Sequence, residues 1–399
     1  PLALKWSYIP KMFNWFLHYF KNCNQKSMMH TAKYMHQILS LSNDAYEEIF
    51  QEIDTTGLVE KKGIIYIWTN KNLNSRKLEI KVRDELGIEQ KLLTQQEVLD
   101  LEPNLQPVFD AGVIYESAMH ARDPHGILKK IFKLFLDRGG KFIQTNIKSL
   151  EQININETVI RSENEDYKFE KTVVASGAFS KSLTDQLGEN IPLDTERGYH
   201  VHFKGKEHLI SRPVIFLDRG FGMTPMNQGL RAVGTVELGG LKNPPSKKRI
   251  DYVIRCAKEL LPDLGKHEDE WLGFRPTLPD FLPILGPSLK NKNIIYAFGH
   301  QHLGWTLGAI TGKIVSGIVA GEKTNLDLSI PLDKDHKLEL KKIGDEHIPF
   351  VHVRNNLEGF ISRSVYYSLI DIALSQENDS SDELILKSFN CLFSLGEVA

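Results

Sequence analysis

Apolar residues recur at helical spacing through the first fifty positions. They do so in Ile9-Pro10-Lys11-Met12-Phe13-Asn14-Trp15-Phe16-Leu17-His18-Tyr19-Phe20 and again from Ala32 to Phe50, which predicts two or three helices before about residue 55. The period then changes. Gly63-Ile64-Ile65-Tyr66-Ile67-Trp68 has the β-branched and aromatic content of a strand, and Thr94-Gln95-Gln96-Glu97 is a capping box opening a short helix that Pro103 stops. A second strand, Ala111 to Tyr115, leads to Asp123-Pro124-His125, where Asp123 caps a helix that Pro124 begins and Gly139-Gly140 ends. Short alternating segments fill Lys141 to Phe169, and Lys171-Thr172-Val173-Val174-Ala175 reads as a buried strand. From Tyr199 to Val236 the pattern is strand, turn, strand, as in an antiparallel sheet, and Asp251 to Leu261 reads as a helix. A last strand, Asn293 to Phe298, runs through a glycine-bearing turn into a helix with apolar positions Leu307, Ile310, Ile314, Val315 and Ile318. The mixture predicts an α/β chain with an antiparallel insert.

Composition narrows the class. With 399 residues, 41% hydrophobic and 25% charged, the chain can build a large core, and at this length two domains or interleaved lobes are expected. Forty-nine Lys and Arg against 51 Asp and Glu leave a charge of −2, which lacks the basic excess of a nucleic-acid binder. Cys23, Cys256 and Cys391 are far apart and match no metal-ligand spacing, so a disulfide scaffold and a zinc module are excluded and a cytoplasmic location is expected. No uncharged run approaches the roughly 18 to 20 apolar residues that span a bilayer. The aromatic segment between Lys11 and Lys21 is read first as a core-facing helix; the alternative is peripheral contact with the inner face of the plasma membrane. After about Glu322 the texture changes, with a charged stretch from Asp333 to Glu346 and an acidic run from Gln376 to Glu383. Residues 331–399 are therefore expected to be an appended extension of unknown role, dispensable for folding of the core.

Three segments carry candidate chemistry. Val173-Val174-Ala175-Ser176-Gly177-Ala178 is a strand ending in small residues, as a backbone passing close to a planar or phosphorylated ligand requires. Gly299-His300-Gln301-His302-Leu303-Gly304-Trp305-Thr306 joins a buried strand to an amphipathic helix, whose unpaired N–H groups and positive dipole end suit a site of developing negative charge. His300 and His302 lack a third ligand in range, so no metal is expected. In Trp271-Leu272-Gly273-Phe274-Arg275-Pro276-Thr277-Leu278-Pro279-Asp280 the prolines stiffen an extended backbone whose only cation is Arg275. A guanidinium so held can clamp a carboxylate by two parallel hydrogen bonds; the alternative is a structural ion pair with an acid such as Asp280.

Together with Glu196-Arg197-Gly198-Tyr199-His200, Met223-Thr224-Pro225-Met226, Gly229-Leu230-Arg231 and Gly234-Thr235-Val236-Glu237, these segments resemble the FAD-dependent D-amino acid dehydrogenase and D-amino acid oxidase superfamily, in particular its D-hydroxyproline dehydrogenase-like members, over about residues 1–321. The resemblance implies an FAD-linked reductase type of α/β (α+β) fold, with the FAD-binding and antiparallel-sheet substrate lobes interleaved. Residues 1–116 and 191–272 would form the substrate lobe, and 117–190 and 273–330 the FAD-binding lobe. Arg275 would bind the substrate carboxylate, with Tyr199 and His200 lining the same side. Gly299, His300, Leu303, Gly304, Trp305 and Thr306 would lie over the flavin, and Ala175, Ser176, Gly177 and Ala178 would make a second FAD contact. The family opens with a strand, a Gly-x-Gly-x-x-Gly turn and a helix, which this sequence lacks, so the chain is expected to be a fragment without the N-terminal βαβ unit.

The implied activity is dehydrogenation of D-amino acids or cyclic amino acids by hydride transfer to flavin, with electrons passed on to an acceptor that the sequence does not name. The alternatives are a glycine- or sarcosine-type amine oxidase and a non-catalytic fragment or subunit.

Overall fold

Met12, Trp15, Phe16 and Tyr19 recur at the three-to-four residue spacing of one helix face, and the computed structural model buries all four along the inner side of helix α1 (Ile9–Asn22). Residues 2–70, 73–154 and 157–322 are described; the expected extension 331–399 lies outside them. Two further helices follow, α2 (Gln25–Leu39), whose first turn is capped by the Asn24 side chain, and α3 (Ser42–Phe50). Next comes α4 (Leu73–Glu85), which the apolar pattern does not predict. Three of its inward positions are charged: beside the buried Val82, Arg76, Glu79 and Arg83 are all buried, with Arg76 Nη1 2.6 Å from Glu79 Oε1 and Arg83 Nη2 3.8 Å from Glu79 Oε2. Helix α5 (Gln95–Leu101) opens on the expected Thr94–Glu97 capping box, and α6 (Pro124–Asp137) on Asp123, whose carboxylate accepts from Gly126 N at 2.9 Å. Helices α7 (Ser180–Gln186), α8 (Lys247–Leu260) and α9 (Gly304–Ala320) complete the set.

The large sheet has nine strands. Along its main path the order is Glu268–Thr277, Asp194–Phe203, Gly229–Leu238, Phe221–Met226, Val214–Phe216, Ile64–Trp68, Ala111–Tyr115 and Lys91–Thr94; Leu2–Leu4 joins beside Gly229–Leu238. Pairing is antiparallel except where Val214–Phe216 meets Ile64–Trp68 and where Leu2–Leu4 meets Gly229–Leu238. One face is covered by α1, α2 and α4 and the other by α8, each over its own apolar core. A second sheet sets Thr172–Val174 parallel to Ile294–Phe298, which pairs antiparallel with Ile284–Pro287. A meander of Ile147–Asn154, Glu157–Ser162 and Asp166–Phe169 adjoins it. The chain thus passes repeatedly between a mainly antiparallel sheet and a smaller mixed one.

Two expectations need correction. The Glu268–Thr277 strand runs unbroken past residue 273, so Arg275 belongs to the large sheet and not to the segment assigned to the other lobe. Only Thr172 and Val174 of the small-sheet strand are buried, because alternation turns Val173 outward, 40% exposed. Among the described residues Gln301–Ala320 is long and apolar enough by length and composition to cross a membrane, since the single Lys313 scarcely lowers its mean hydropathy of 1.4. Its Leu307, Ile310 and Ile314 are buried against α2 and α3, the pattern of a core helix.

Candidate active site

Register assembles the site. The Asp194–Phe203 and Glu268–Thr277 strands pair antiparallel with Glu196 opposite Arg275, Gly198 opposite Gly273 and His200 opposite Trp271, so these six residues share the sheet face that α1 covers. Arg275 is 5% exposed. Its guanidinium lies over Gly198, where an added Cβ would collide with it, and Nη1 donates to the Thr235 carbonyl at 3.2 Å. The Trp271 ring covers Gly273 in the same way and stacks on His200 with centroids 4.8 Å apart, while remaining 56% exposed. Two glycines side by side therefore let a guanidinium and an indole lie flat on the sheet.

Backbone strain gathers around this arginine. Thr235, Phe281 and Gln301 all have positive φ, at 64°, 60° and 54°, and all three are buried. The Gln301 amide nitrogen donates to the Phe281 carbonyl, and the Gln301–Leu303 turn packs on the strand that carries Arg275. Trp15 of α1 donates Nε1–H to the Thr277 carbonyl at 3.3 Å, tying that strand to the helix above it. Thr235 Oγ1 and Gln301 Oε1 are buried without a hydrogen-bond partner in the protein, two polar atoms suited to a polar ligand beside the arginine.

Glu196, opposite Arg275, is wholly enclosed. Burial pushes its carboxyl up to about 7, against the downward pull of the Arg275 guanidinium. The native state then binds more protons than the unfolded chain between the ordinary value of 4.5 and about 7, so this contribution to stability is complete below that window and is lost as pH rises through it. Denaturant melts of the wild type should weaken across the window by on the order of 2 kcal/mol, and Glu196→Gln should flatten the profile. Equal slopes for the two proteins would show that Glu196 does not titrate there.

Tyr199 does not share the Arg275 face. Alternation sends it to the side covered by α8, where its hydroxyl donates to Glu237 Oε2 at 2.5 Å and accepts from Ser246 N at 3.0 Å. Burial first, and the Glu237 carboxylate second, push its phenol up to about 12. Glu237 also meets the fully buried Arg197, 3.2 Å from Nη1, and Arg197 Nη2 donates to the Asn243 and Pro244 carbonyls at 2.7 and 2.9 Å. This network is part of the core, so Tyr199 does not stand beside Arg275 as expected. His200 does face the Arg275 side.

The two small-residue loops both reach the Arg275 strand. Gly177–Phe179 packs on it, with the Phe179 and Phe274 rings 6.3 Å apart. Gly177 has φ +56° with open space where a Cβ would project, and Ala175 and Ser176 are exposed. At the other loop Gly299 has φ +90°, and a Cβ there would sit 2.7 Å from Leu278 Cδ1. Helix α9 starts at Gly304 with no side chain capping its first turn, which includes Trp305 and Thr306, so the positive end of its dipole faces this region uncovered by a side chain. His300 is engaged elsewhere: Nε2 lies 2.9 Å from Thr311 Oγ1, and burial lowers its pKa to about 4, so the ring is neutral at pH 7. His302 and Leu303 are half-buried, and Leu303 also lines a cavity of about 340 Å³ walled by α2, α4 and Tyr115. Side-chain-free backbone, an uncapped helix start and orphaned polar atoms around one buried guanidinium fit a flavin and an anionic substrate. Among the described residues no group of three His, Cys, Asp or Glu is placed to hold a metal ion.

Comparison with known proteins agrees with this geometry. Residues 15–318 match the model of the family described as FAD dependent oxidoreductase, and residues 322–395 match the C-terminal domain of a protein family of unknown function, DUF1285. The chain is 29% identical over 335 residues to a D-amino-acid oxidase of Bradyrhizobium diazoefficiens, covering 82% of this chain and 80% of that one. It is 27% identical over 350 residues to a D-amino acid dehydrogenase of Vibrio atlanticus, covering 83% and 82%. In fold it is similar to glycine oxidase from Geobacillus kaustophilus, with a TM-score of 0.65 at 21% identity over 74% of this chain and 81% of that one. It is similar also to L-proline dehydrogenase from P. horikoshii, at 0.64 and 18% over 73% and 80%. The lack of a Gly-x-Gly-x-x-Gly unit in the sequence therefore does not stand against membership, and a family match over three quarters of its length makes this chain a member of the FAD dependent oxidoreductase family, with FAD as its cofactor.

Proposed function

We propose that this oxidoreductase dehydrogenates D-amino acids or cyclic amino acids such as D-proline derivatives, with Arg275 binding the substrate carboxylate. The observation that carries the reading is the buried Arg275 guanidinium, laid flat over Gly198 on a strand that both small-residue loops touch. The names of the relatives, D-amino acid oxidase and D-amino acid dehydrogenase, support the substrate class. In this reading Gly299, His300, Leu303, Gly304, Trp305 and Thr306 form the loop over the flavin, and Ala175, Ser176, Gly177 and Ala178 a second contact. Bound there, FAD supplies the acceptor for the α-hydrogen and its electron pair.

The protein's own part is positioning. Arg275 holds the carboxylate by paired hydrogen bonds, which fixes the α-carbon relative to the sheet, while Thr235 and Gly198 hold the guanidinium. His200 and Trp271 form an aromatic platform on the same face, suited to a substrate ring or side chain. The amine loses its proton to solvent, and the positive end of the α9 dipole faces the region where negative charge develops. The imine product hydrolyses in water.

FAD-loaded protein given D-alanine or D-proline should reduce an artificial electron-accepting dye without releasing matching peroxide. Stoichiometric peroxide in air would favour the oxidase alternative, of glycine or sarcosine type. No dye reduction by FAD-loaded protein with any of these amino acids would leave the non-catalytic alternative.

A further inference from the structure

Helix α1 is apolar on two sides. Its inner face, Met12, Trp15, Phe16 and Tyr19, is buried in the core. Its outer face carries Phe13, Leu17 and Phe20, exposed by 63%, 48% and 42%, and Trp6 of the preceding turn is 81% exposed. Positions 13, 17 and 20 fall on one stripe of a 3.6-residue helix, where an ordinary surface helix would place charged and polar side chains.

The charge around the stripe is one-sided. Lys5, Lys11, Lys21, Lys26 and Lys33 are the charged residues of positions 1 to 43, and the first acid is Asp44, in a chain whose net charge is −2. Lys21 is exposed at the end of α1 beside the stripe and Lys26 at the start of α2, whereas Lys11 lies on the other side of α1, its Nζ 5.8 Å from the centre of the Tyr8 ring. An aromatic and aliphatic stripe that ends beside Lys21, with Lys26 opening the next helix and no acid among the first 43 positions, matches a helix lying in the headgroup layer of an anionic bilayer. A second copy of the chain fits less well, because an isologous contact would bring the same lysines against each other. We propose that α1 docks this oxidoreductase on an anionic membrane surface, with Phe13, Leu17 and Phe20 entering the headgroup boundary and Lys21 and Lys26 facing lipid phosphates. The inference does not depend on which substrate the site takes. Since Trp15 on the inner face bonds the Arg275 strand, docking would place that strand directly behind the membrane-facing helix.

The test uses the full chain and extruded vesicles, read by co-sedimentation. The wild type should bind phosphatidylglycerol vesicles, bind pure phosphatidylcholine vesicles roughly tenfold more weakly, and lose the difference at high salt. Phe13→Ser/Leu17→Ser/Phe20→Ser should cut binding to both by roughly tenfold or more. Lys21→Gln/Lys26→Gln should cut binding to the anionic vesicles alone. Both variants leave the inner face intact, and their thermal melts should match the wild type. No binding to either vesicle by folded wild type, or unchanged binding by the serine variant, would overturn the proposal. So would a wild-type dimer in sedimentation velocity that the serine variant dissolves, which would make the stripe a self-association face. If the serine variant melts early, the lysine variant decides: anionic-vesicle binding equal to wild type then overturns the proposal.

Discussion

Arg275→Ala in the FAD-loaded enzyme is expected to lower kcat/KM for a D-amino acid by tenfold to a hundredfold or more, because charge-assisted hydrogen bonds of about 1.5 to 3 kcal/mol are lost from substrate binding. Arg275→Lys should lose less, keeping the charge while forfeiting the planar fork. FAD content should stay constant in both. The location of the residue adds a second expectation. Arg275 holds down the proton affinity of the buried Glu196, so its removal leaves Glu196 neutral to higher pH still. The loss of activity should therefore persist in Arg275→Ala/Glu196→Gln, whose pH profile of stability is flat. Steady-state kinetics and denaturant melts on the four proteins separate the two roles. Unchanged kcat/KM in a folded, FAD-loaded Arg275→Ala enzyme would sink the carboxylate assignment and leave Arg275 as the structural partner of Glu196.

The largest loss of stability is expected on the opposite face of the same strands. Arg197 is fully buried with its guanidinium 3.2 Å from Glu237, and Arg197→Met would fill much of its volume while leaving that carboxylate without its enclosed cation. Breaking a buried pair from one side costs about 3 to 5 kcal/mol. Lys5 lies 3.7 Å from the other oxygen of Glu237 but has a 41% exposed side chain, so it shares its charge with water and replaces little. Urea unfolding should show the full loss. A shift under about 1 kcal/mol would mean that Glu237 takes up a proton at little expense. Tyr199→Phe, which removes one donor to the same carboxylate, should cost about 1 to 3 kcal/mol and leave KM for substrate unchanged. A raised KM would return Tyr199 to the substrate side.

Alternation alone separates Tyr199 from His200. Adjacent residues of a strand point to opposite faces, so both could not line one site once Glu196 to His200 lay in a strand. That alternation is legible in the sequence itself. Thr235 and Gln301 are different. Nothing local marks a threonine or a glutamine for positive φ, and both adopt it where the Arg275 strand, the Gly234-Thr235 backbone and the turn before α9 meet. Helix α4 was illegible for a third reason: its inward positions are Arg76, Glu79 and Arg83 beside Val82, and an apolar-period reading cannot see a buried face whose two cations are met by Glu79 and by Asp218 of a distant turn.

By itself the sequence determined what short-range physics controls. The Asp123 cap before Pro124, the Thr94–Glu97 box, the apolar period of α1 and the extended Arg275 segment each need only a few neighbouring residues, and each appears where those residues place it. Only the tertiary structure decided which cations meet acids, that Gly198 lies under the Arg275 guanidinium, and that α1 presents a second apolar face outward. Those outcomes depend on contacts between strands and helices far apart along the chain. A periodic pattern states that a face is apolar, and only packing states whether anything covers it.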